Sequence, residues 1–449
     1  MENKDSHRLP ITYGHILKVA LPLMFGTFVQ SIVMITDSSF LSRYSTLSFD
    51  AAGNAGLVYV TAYMGLTGLS DAVQIILARR IGEKRKSELN EILQSSFFVL
   101  ASFALLFFFF IQFGFDNLLY DYSSNKELAQ EQIDFLSIRT YGFLIGIILL
   151  PLNSFFLATG KTWVIMVSSS IFACSNVLLD YLLIFGVGPI EPMGIKGAAL
   201  ASTLSEGITV IVLLGLLYKS KERIMYQIFS HLQFSFKSVR RIVSVGFPLL
   251  IQGFIALGSW TIFFTFIEQR STYELTVSQS VRSVYMIAFI PIFGFAATIK
   301  TYVSQYMHED GFHRIKEIIR KTSVLITLSL LTLFHGAILY PEFLISVINP
   351  DPIYLKDSAF ILRIVFGSIL IHGIMTPLSQ TISGSGNTRT TLLIEIITII
   401  VYSVYSYLAL KIWDWNIAAA WSVEYLYFIL MGILSLLYLK KFNWRKKKI

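Results

Sequence analysis

The sequence predicts an all-α polytopic membrane protein of about 12 transmembrane helices, in two six-helix lobes related by a pseudo-twofold axis along the membrane normal. Three observations carry that prediction. Hydrophobic residues make up 54% and charged residues 14%, with 37 Phe and a mean hydropathy of +0.65, whereas a soluble domain carries about 25% charge. The landmarks of the first half also return in the second half at one fixed displacement. Ala20-Leu21-Pro22-Leu23 returns as Gly246-Phe247-Pro248-Leu249, Gly68 as Gly294, and Pro151-Leu152 with Gly160 and Thr162 as Pro377-Leu378 with Gly386 and Thr388, each shifted by 226 residues (248 − 22 = 226). Finally, basic residues gather in alternate connections, as a chain threaded back and forth through a bilayer requires.

The elements follow in order. Apolar stretches of spanning length, about 20 residues, lie near 16–41, 52–78, 92–115, 133–157, 163–186 and 195–218, and again near 242–267, 277–305, 322–340, 358–383, 390–410 and 417–439. The stretch 52–78 is interrupted by Gly and polar residues, so its place rests on the repeat as much as on hydropathy. The predicted organisation is an N-terminal lobe at 1–218, a cytoplasmic linker at 219–240, a C-terminal lobe at 241–439 and a basic cytoplasmic tail at 440–449. The linker is basic and moderately apolar between Ile224 and Phe236, and reads either as a short amphipathic helix on the membrane surface or as a plain connector.

An even number of helices per repeat makes both halves enter the membrane in the same direction. Segments placed inside carry Lys4 and Arg8, Arg79 to Lys86, Lys161, Lys219 to Arg241, Arg314 to Lys321, Arg389 and Lys440 to Lys448, while those placed outside carry mostly single charges such as Arg43, Lys126 and Lys196. Both termini are therefore expected in the cytoplasm, in a multi-pass protein of the cell membrane. The net charge of +8 and pI near 9.3 are met by topology, and no nucleic-acid partner is expected. Met1 to Pro10 is polar and leads into a full span, unlike a cleaved signal peptide. Cys174 is the sole cysteine, which excludes an intramolecular disulfide and a cysteine-built metal centre.

Function is sought in polar residues that a bilayer disfavours, since an acid at mid-membrane costs about 2.5–3.5 kcal/mol. The candidates are Asp37, Asp71, Asp180, Glu206, Glu395, Glu424, Lys300, Arg139 and Arg363. Asp71 and Lys300 lie near cytoplasmic helix ends, where snorkelling or a local ion pair explains them. Arg139 and Arg363 fall at nearly equivalent places in the two halves, which favours an architectural role. Asp37 and Asp180 stand apart because, counted from the inner ends of the first and fifth spans, they lie about 31 Å and about 26 Å along at 1.5 Å per residue. Asn176 precedes Asp180 by one turn and shares its helix face. The second half does not copy the cluster, having Phe263 and Ser406 at the equivalent positions, so a binding task is favoured over a symmetric structural one.

These residues resemble a known family. The stretch from Ala20-Leu-Pro-Leu to Asp37, Asn176-Val-Leu-Leu-Asp180 followed by Gly194-Ile-Lys-Gly-Ala-Ala-Leu-Ala201, Gly246-Phe-Pro and Gly384-Ser-Gly-Asn-Thr388 are similar to the multidrug and toxic compound extrusion (MATE) transporters, over essentially the whole chain. The resemblance implies two six-helix lobes set as a V around a central cavity, alternating between inward-open and outward-open, with proton or sodium entry driving export of organic cations. It implies a cation site, possible for sodium, at Asp37, Asn176 and Asp180, joined by a hydroxyl from the sixth helix, either Ser202 or Thr203. One branch of the family keeps acids in the seventh and tenth helices; here those positions fall near Ala256 and His372, so that second-lobe site is expected to be absent and the chain is placed closer to the branch that couples through its first lobe. His372 is read either as a group titrating near neutral pH or as a buried hydrogen-bonded histidine.

Gln30 and Met34, on the side of the first helix that carries Asp37, and Gln252, Trp260 and His372 in the second half are the candidate substrate-cavity residues. Aromatic and Met side chains suit polyaromatic cations through stacking and cation–π contacts. The reading is thus a monomeric antiporter without a cofactor, with a small organic cation as substrate and the lipid bilayer as its surroundings. A lipid-linked oligosaccharide flippase is the alternative, for which only Arg139 and Arg363 could meet a diphosphate. An enzyme is not expected: the seven His residues are scattered, and His308-Glu-Asp-Gly-Phe-His313 falls in a cytoplasmic loop.

Overall fold

The computed structural model describes residues 8–122, 125–255, 258–308, 311–447 and 449. Lys4, Ala256, Glu309, Asp310 and Lys448 lie outside the described residues.

The described residues are helical almost throughout. In chain order the α-helices are α1 (Tyr13–Tyr44), α2 (Thr46–Gly82), α3 (Glu88–Tyr122), α4 (Lys126–Arg139), α5 (Tyr141–Thr159), α6 (Thr162–Phe185), α7 (Gly194–Lys219), α8 (Lys221–Met225), α9 (Phe236–Ile255), α10 (Gly258–Glu268), α11 (Thr272–Tyr285), α12 (Phe289–Tyr306), α13 (Ile315–Leu333), α14 (Gly336–Leu339), α15 (Pro341–Ile348), α16 (Pro352–Gly384), α17 (Thr388–Tyr407), α18 (Ile417–Ala420) and α19 (Val423–Lys441). Joined across short breaks, they supply 11 segments long and apolar enough to cross a membrane. These runs are helical because a backbone in lipid must satisfy its own hydrogen bonds, and their side chains are mostly apolar because hydrocarbon surrounds them.

One expected span differs. The stretch 322–340 is not one helix: α13 ends at Leu333 and a separate short helix begins at Gly336. α13 carries Lys316, Glu317, Arg320 and Lys321 in its first two turns, so its uncharged part, residues 322–333, falls short of the roughly 20 apolar residues of a span. This stretch is therefore not among the 11 apolar spans found in the described residues.

The chain divides into two compact units, one of Phe25–Phe254 and one of Met1–Met24 with Ile255–Ile449. This division departs from boundaries drawn at the polar linker. The N-terminal part of α1 packs with the later residues: Ile16 and Ala20 are fully buried in a core with Phe295, Ile299 and Tyr302. Ahead of it the Tyr302 and Tyr306 hydroxyls donate to the carbonyls of Pro10 and Leu9, the Leu9 N–H donates to Gln305 Oε1 at 2.8 Å, and Lys321 Nζ donates to the Ile11 carbonyl at 2.7 Å. Correspondingly, α9 packs with the earlier residues, where Ser238 Oγ donates to Glu91 at 2.7 Å and Arg241 pairs with Glu88 at 3.5 Å.

Glycine makes both arrangements possible. A Cβ on Gly68 would collide with the backbone of Leu249 and Leu250, and a Cβ on Gly294 would lie 2.6 Å from Met24 Cγ and 3.3 Å from the Ala20 carbonyl. Gly68 and Gly294 are repeat equivalents, and so are Met24 and Leu250 (250 − 24 = 226). The same close helix crossing is thus built once in each unit, as small residues allow in membranes.

The linker is pinned to the first unit. Asn90 Oδ1 accepts from the Phe229 N–H at 2.8 Å, Gln94 Nε2 donates to the His231 carbonyl at 2.8 Å, and Lys161 pairs with Glu222 at 3.0 Å.

Candidate functional site

Asp37, Asn176, Asp180 and Ser202 converge within the unit of residues 25–254. Asn176 and Asp180 lie one turn apart on α6 and both are fully buried. The fold brings α7 against that face because residue 197 is glycine: a Cβ there would lie 2.6 Å from the Leu183 backbone carbonyl carbon. Beyond this crossing, Asn176 Nδ2 donates to Ser202 Oγ at 3.3 Å. Thr203 instead donates to the Ala199 carbonyl of its own helix at 2.8 Å. The C-terminal part of α1 is held beside α6 by Phe40, whose ring meets Tyr181 at 6.3 Å and Phe185 at 5.7 Å.

Those contacts set the Asp37 carboxyl within hydrogen-bonding reach of the Asp180 carboxyl. Both oxygens of Asp180, Oδ1 of Asp37 and Oδ1 of Asn176 are buried and receive no hydrogen from the protein. Two ionised carboxylates offer only acceptors, and at about 4 Å with an effective dielectric near 20 they repel by about 4 kcal/mol. Such a pair is stable at close range only with a proton or a cation between its oxygens. Among the described residues no group of three or more His, Cys, Asp or Glu is arranged to hold a metal ion, so any cation here would rest on two carboxylates and the neutral oxygens of Asn176 and Ser202.

A second buried charge system adjoins the first. Arg139 grips Glu206 with two hydrogen bonds, at 2.5 and 3.1 Å, and its guanidinium lies 3.9 Å over the Tyr59 ring. Gly142 leaves room for it, because a Cβ at that position would collide with Arg139, Tyr59 and Glu206 together. Arg139 is also within electrostatic reach of Asp37. The sequence offers Arg139 and Glu206 as candidates but gives no sign that they pair, since they are 67 residues apart. Arg363, the proposed counterpart of Arg139, is exposed, so the two arginines do not share a role.

The substrate candidates are more scattered. Met34 is 64% exposed and Gln30 is exposed on the same helix, while Gln252 is half-buried. Trp260 and His372 join one aromatic cluster through Phe289, whose ring lies 6.1 Å from Trp260 and 5.6 Å from His372. His372 is not the hydrogen-bonded histidine that one reading expects, for its ring stacks on Phe428 at 4.0 Å and its Nδ1 has no partner. The acid missing from the second-half positions of the branch pattern appears elsewhere in that unit: Glu424 is 1% exposed and accepts from the Tyr285 hydroxyl at 3.1 Å and the Tyr402 hydroxyl at 3.0 Å.

Comparison with known proteins matches this architecture. The MatE family profile fits residues 22–182 and again 248–408, which reproduces the displacement of 226 residues (248 − 22 = 226) seen in the landmarks. The chain belongs to the MatE family. Among its relatives, a probable multidrug resistance protein NorM of Thermotoga maritima is 24% identical over 445 residues, covering 98% of this chain and 95% of the relative. A probable multidrug resistance protein NorM of Agrobacterium fabrum is 22% identical, with 80% of this chain and 77% of the relative covered. Among solved structures, an outward-facing multidrug resistance MATE family transporter superposes with a TM-score of 0.86 over 100% of both chains at 17% identity. A MOP superfamily transporter from Pyrococcus furiosus superposes with a TM-score of 0.83 at 17% identity, with 96% of each chain covered. At these identities the structures establish the MatE fold.

Proposed function

We propose that this MatE protein is a secondary active antiporter that exports organic cations or drugs in exchange for protons or sodium ions, by alternating access, in the cell membrane with both termini in the cytoplasm. The observation that carries the reading is the approach of the Asp37 and Asp180 carboxyls inside a membrane-spanning bundle. A monovalent cation bound there removes the repulsion of about 4 kcal/mol, so the close arrangement of α1 and α6 is the cation-loaded one. Loss of the cation disfavours it. The coupling ion can therefore drive a change of helix packing through its differential affinity for two states. Asn176 and Ser202 complete the site with neutral oxygens, and Thr203 stands behind them with its hydroxyl already committed to Ala199.

The substrate class is supported by the relatives' name, probable multidrug resistance protein, and by the aromatic cluster of Trp260, Phe289 and His372. Gln30, Met34 and Gln252 remain the other proposed substrate contacts. The flippase alternative is disfavoured because Arg139, one of the two cations that a diphosphate would need, is held by Glu206. No cofactor is needed for this cycle, and a monomer suffices.

The test is efflux of a fluorescent organic cation from proteoliposomes under an imposed proton gradient or an imposed sodium gradient. Wild type should export under one of the two gradients, and Asp37→Asn and Asp180→Asn should both lose that export while remaining folded in the membrane. Normal export by both variants would overturn the coupling role. No export of any organic cation under either gradient would overturn the exporter reading and reopen the flippase.

A further inference from the structure

The unit formed by residues 1–24 and 255–449 encloses one carboxylate that the coupling site does not use. Glu424 lies in the first turn of α19 and is 1% exposed. Its Oε2 accepts from the Tyr285 hydroxyl of α11 at 3.1 Å, its Oε1 accepts from the Tyr402 hydroxyl of α17 at 3.0 Å, and the Trp260 indole of α10 lies within hydrogen-bonding reach. Aromatic rings close the surroundings. Trp260 stacks on Tyr285 at 5.8 Å, Tyr285 meets Trp421 edge-on at 6.3 Å, and Phe263 bridges Trp421 and Tyr402 at 5.4 and 6.0 Å.

The other titratable and charged groups around this pocket face elsewhere. On α17 and α19, Glu395 accepts from Tyr427 at 2.5 Å, and Tyr425 donates to the Ile364 carbonyl of α16 at 2.6 Å. On α11 the Arg282 guanidinium lies over the Phe264 ring at 4.7 Å, and on α16 the His372 ring lies against Phe428. Among the described residues no lysine, arginine or histidine pairs with Glu424. A buried acid in a membrane helix, solvated only by neutral donors, is held between two tendencies: the donors favour its charge, and the absence of a counter-cation in an apolar setting opposes it.

We propose that Glu424 is a second proton-binding carboxylate of the transport cycle, seated in the unit of residues 1–24 and 255–449 and built from different positions than the Asp37–Asp180 pair. The ligand is a proton rather than a metal ion for a geometric reason. Each carboxylate oxygen already takes one hydroxyl hydrogen, and aromatic rings stand around the carboxyl; a metal ion would need several further oxygen ligands, and among the described residues no three acids or histidines are grouped to hold one. A proton needs only one lone pair. Its arrival adds a donor at one oxygen and weakens that oxygen as an acceptor, so the bonds from Tyr285 and Tyr402 rearrange around the carboxyl. Tyr285 has an alternative partner in Ser368. Trp260 is half-buried and stacks on Tyr285 at 5.8 Å, so a shift of Tyr285 would reach the aromatic surface proposed to meet the substrate. The role in transport rests on the exporter reading; the proton binding does not.

Infrared difference spectra of the full-length protein in liposomes, taken as the medium is acidified without substrate or gradient, test the binding directly. The wild type should gain a carboxylic-acid C=O band that is missing in Glu424→Gln and retained in the Asp37→Asn/Asp180→Asn double variant. Tyr402→Phe and Tyr285→Phe keep the carboxyl and should each move the midpoint of that band, which keeps the test open if Glu424→Gln fails to fold. A spectrum in which no titrating band is lost with Glu424, or a band displaced by sodium at constant pH, overturns the proton site. Once export is measurable, Glu424→Gln should change its pH dependence. An unchanged pH profile with the infrared band gone would overturn the role in transport while leaving the exporter reading intact.

Discussion

Removing Glu206 leaves the Arg139 guanidinium inside a membrane bundle with no carboxylate to hold it. The side chains of the pair are only 11% and 9% exposed, and the pair packs closely against Gly142. Breaking a buried pair by deleting one partner costs about 3–5 kcal/mol. The face of Tyr59, 3.9 Å from the guanidinium, recovers about 1 kcal/mol of that by cation–π attraction. Glu206→Leu should therefore destabilise the protein by about 3 kcal/mol. Arg139→Met, which strands the carboxylate and forfeits the ring contact, should cost about 4 kcal/mol. The double variant Arg139→Met/Glu206→Leu buries no unpaired charge and should be more stable than either single one. Equilibrium unfolding of the purified protein in detergent micelles measures all four corners of this cycle. Costs that add to within about 0.5 kcal/mol would mean that the pair is not coupled and that the geometry around Tyr59 has been misread.

Two further outcomes follow from the packing and the cation site. Gly68→Ala should cost about 1–3 kcal/mol, because the new methyl group meets the Leu249 backbone, whereas Gly53→Ala, with nothing within 4 Å of the added carbon, should be neutral or slightly stabilising in the same unfolding assay; equal costs would refute the close crossing. Ser202→Ala should raise the coupling-ion concentration needed for half-maximal export while Thr203→Ala leaves it nearly unchanged, because only Ser202 is bonded to Asn176; the reverse order would put Thr203 at the site.

Much of the fold is legible in the sequence, since hydropathy and a rigid displacement of 226 residues are long-range regularities that single substitutions do not erase. What hydropathy cannot reveal is which bundle an apolar helix joins. Residues 13–24 and 242–254 are apolar on several faces, and where they pack depends on distant partners, the small residues Gly294 and Gly68 among them. The length of α13 was obscured for another reason: Lys316, Glu317, Arg320 and Lys321 are plain in the sequence, but the break at Phe334 and His335 lies inside an apolar run with no proline. At the candidate site, Asp37, Asn176 and Asp180 stand out because carboxylates are rare in spans and one turn separates the last two. Ser202 could not be told from Thr203, because the choice depends on how α7 turns against α6. Glu206 and Glu424 are visible as acids, yet their partners lie 67 and 139 residues away, beyond any local pattern.

The repeat itself explains why the charges diverge while the scaffold does not. Tyr59 and Tyr285 are equivalent positions (285 − 59 = 226), and each lies against the buried charge of its own unit, the first on Arg139 and the second on Glu424. Gly142, which makes room for Arg139, has Ser368 as its equivalent (368 − 142 = 226), beside Tyr285. The acids themselves do not correspond: Asp37 and Asp180 map to Phe263 and Ser406, Glu206 maps to Gly432, and Glu424 maps back to Ala198. A close helix crossing tolerates only a small side chain, so steric demand holds Gly68 and Gly294 in both copies. A buried carboxylate carries a desolvation cost wherever it sits, and no packing requirement forces the second copy to keep it. Each unit has thus kept the tyrosine that can lie against a buried ionisable group and filled the place beside it differently.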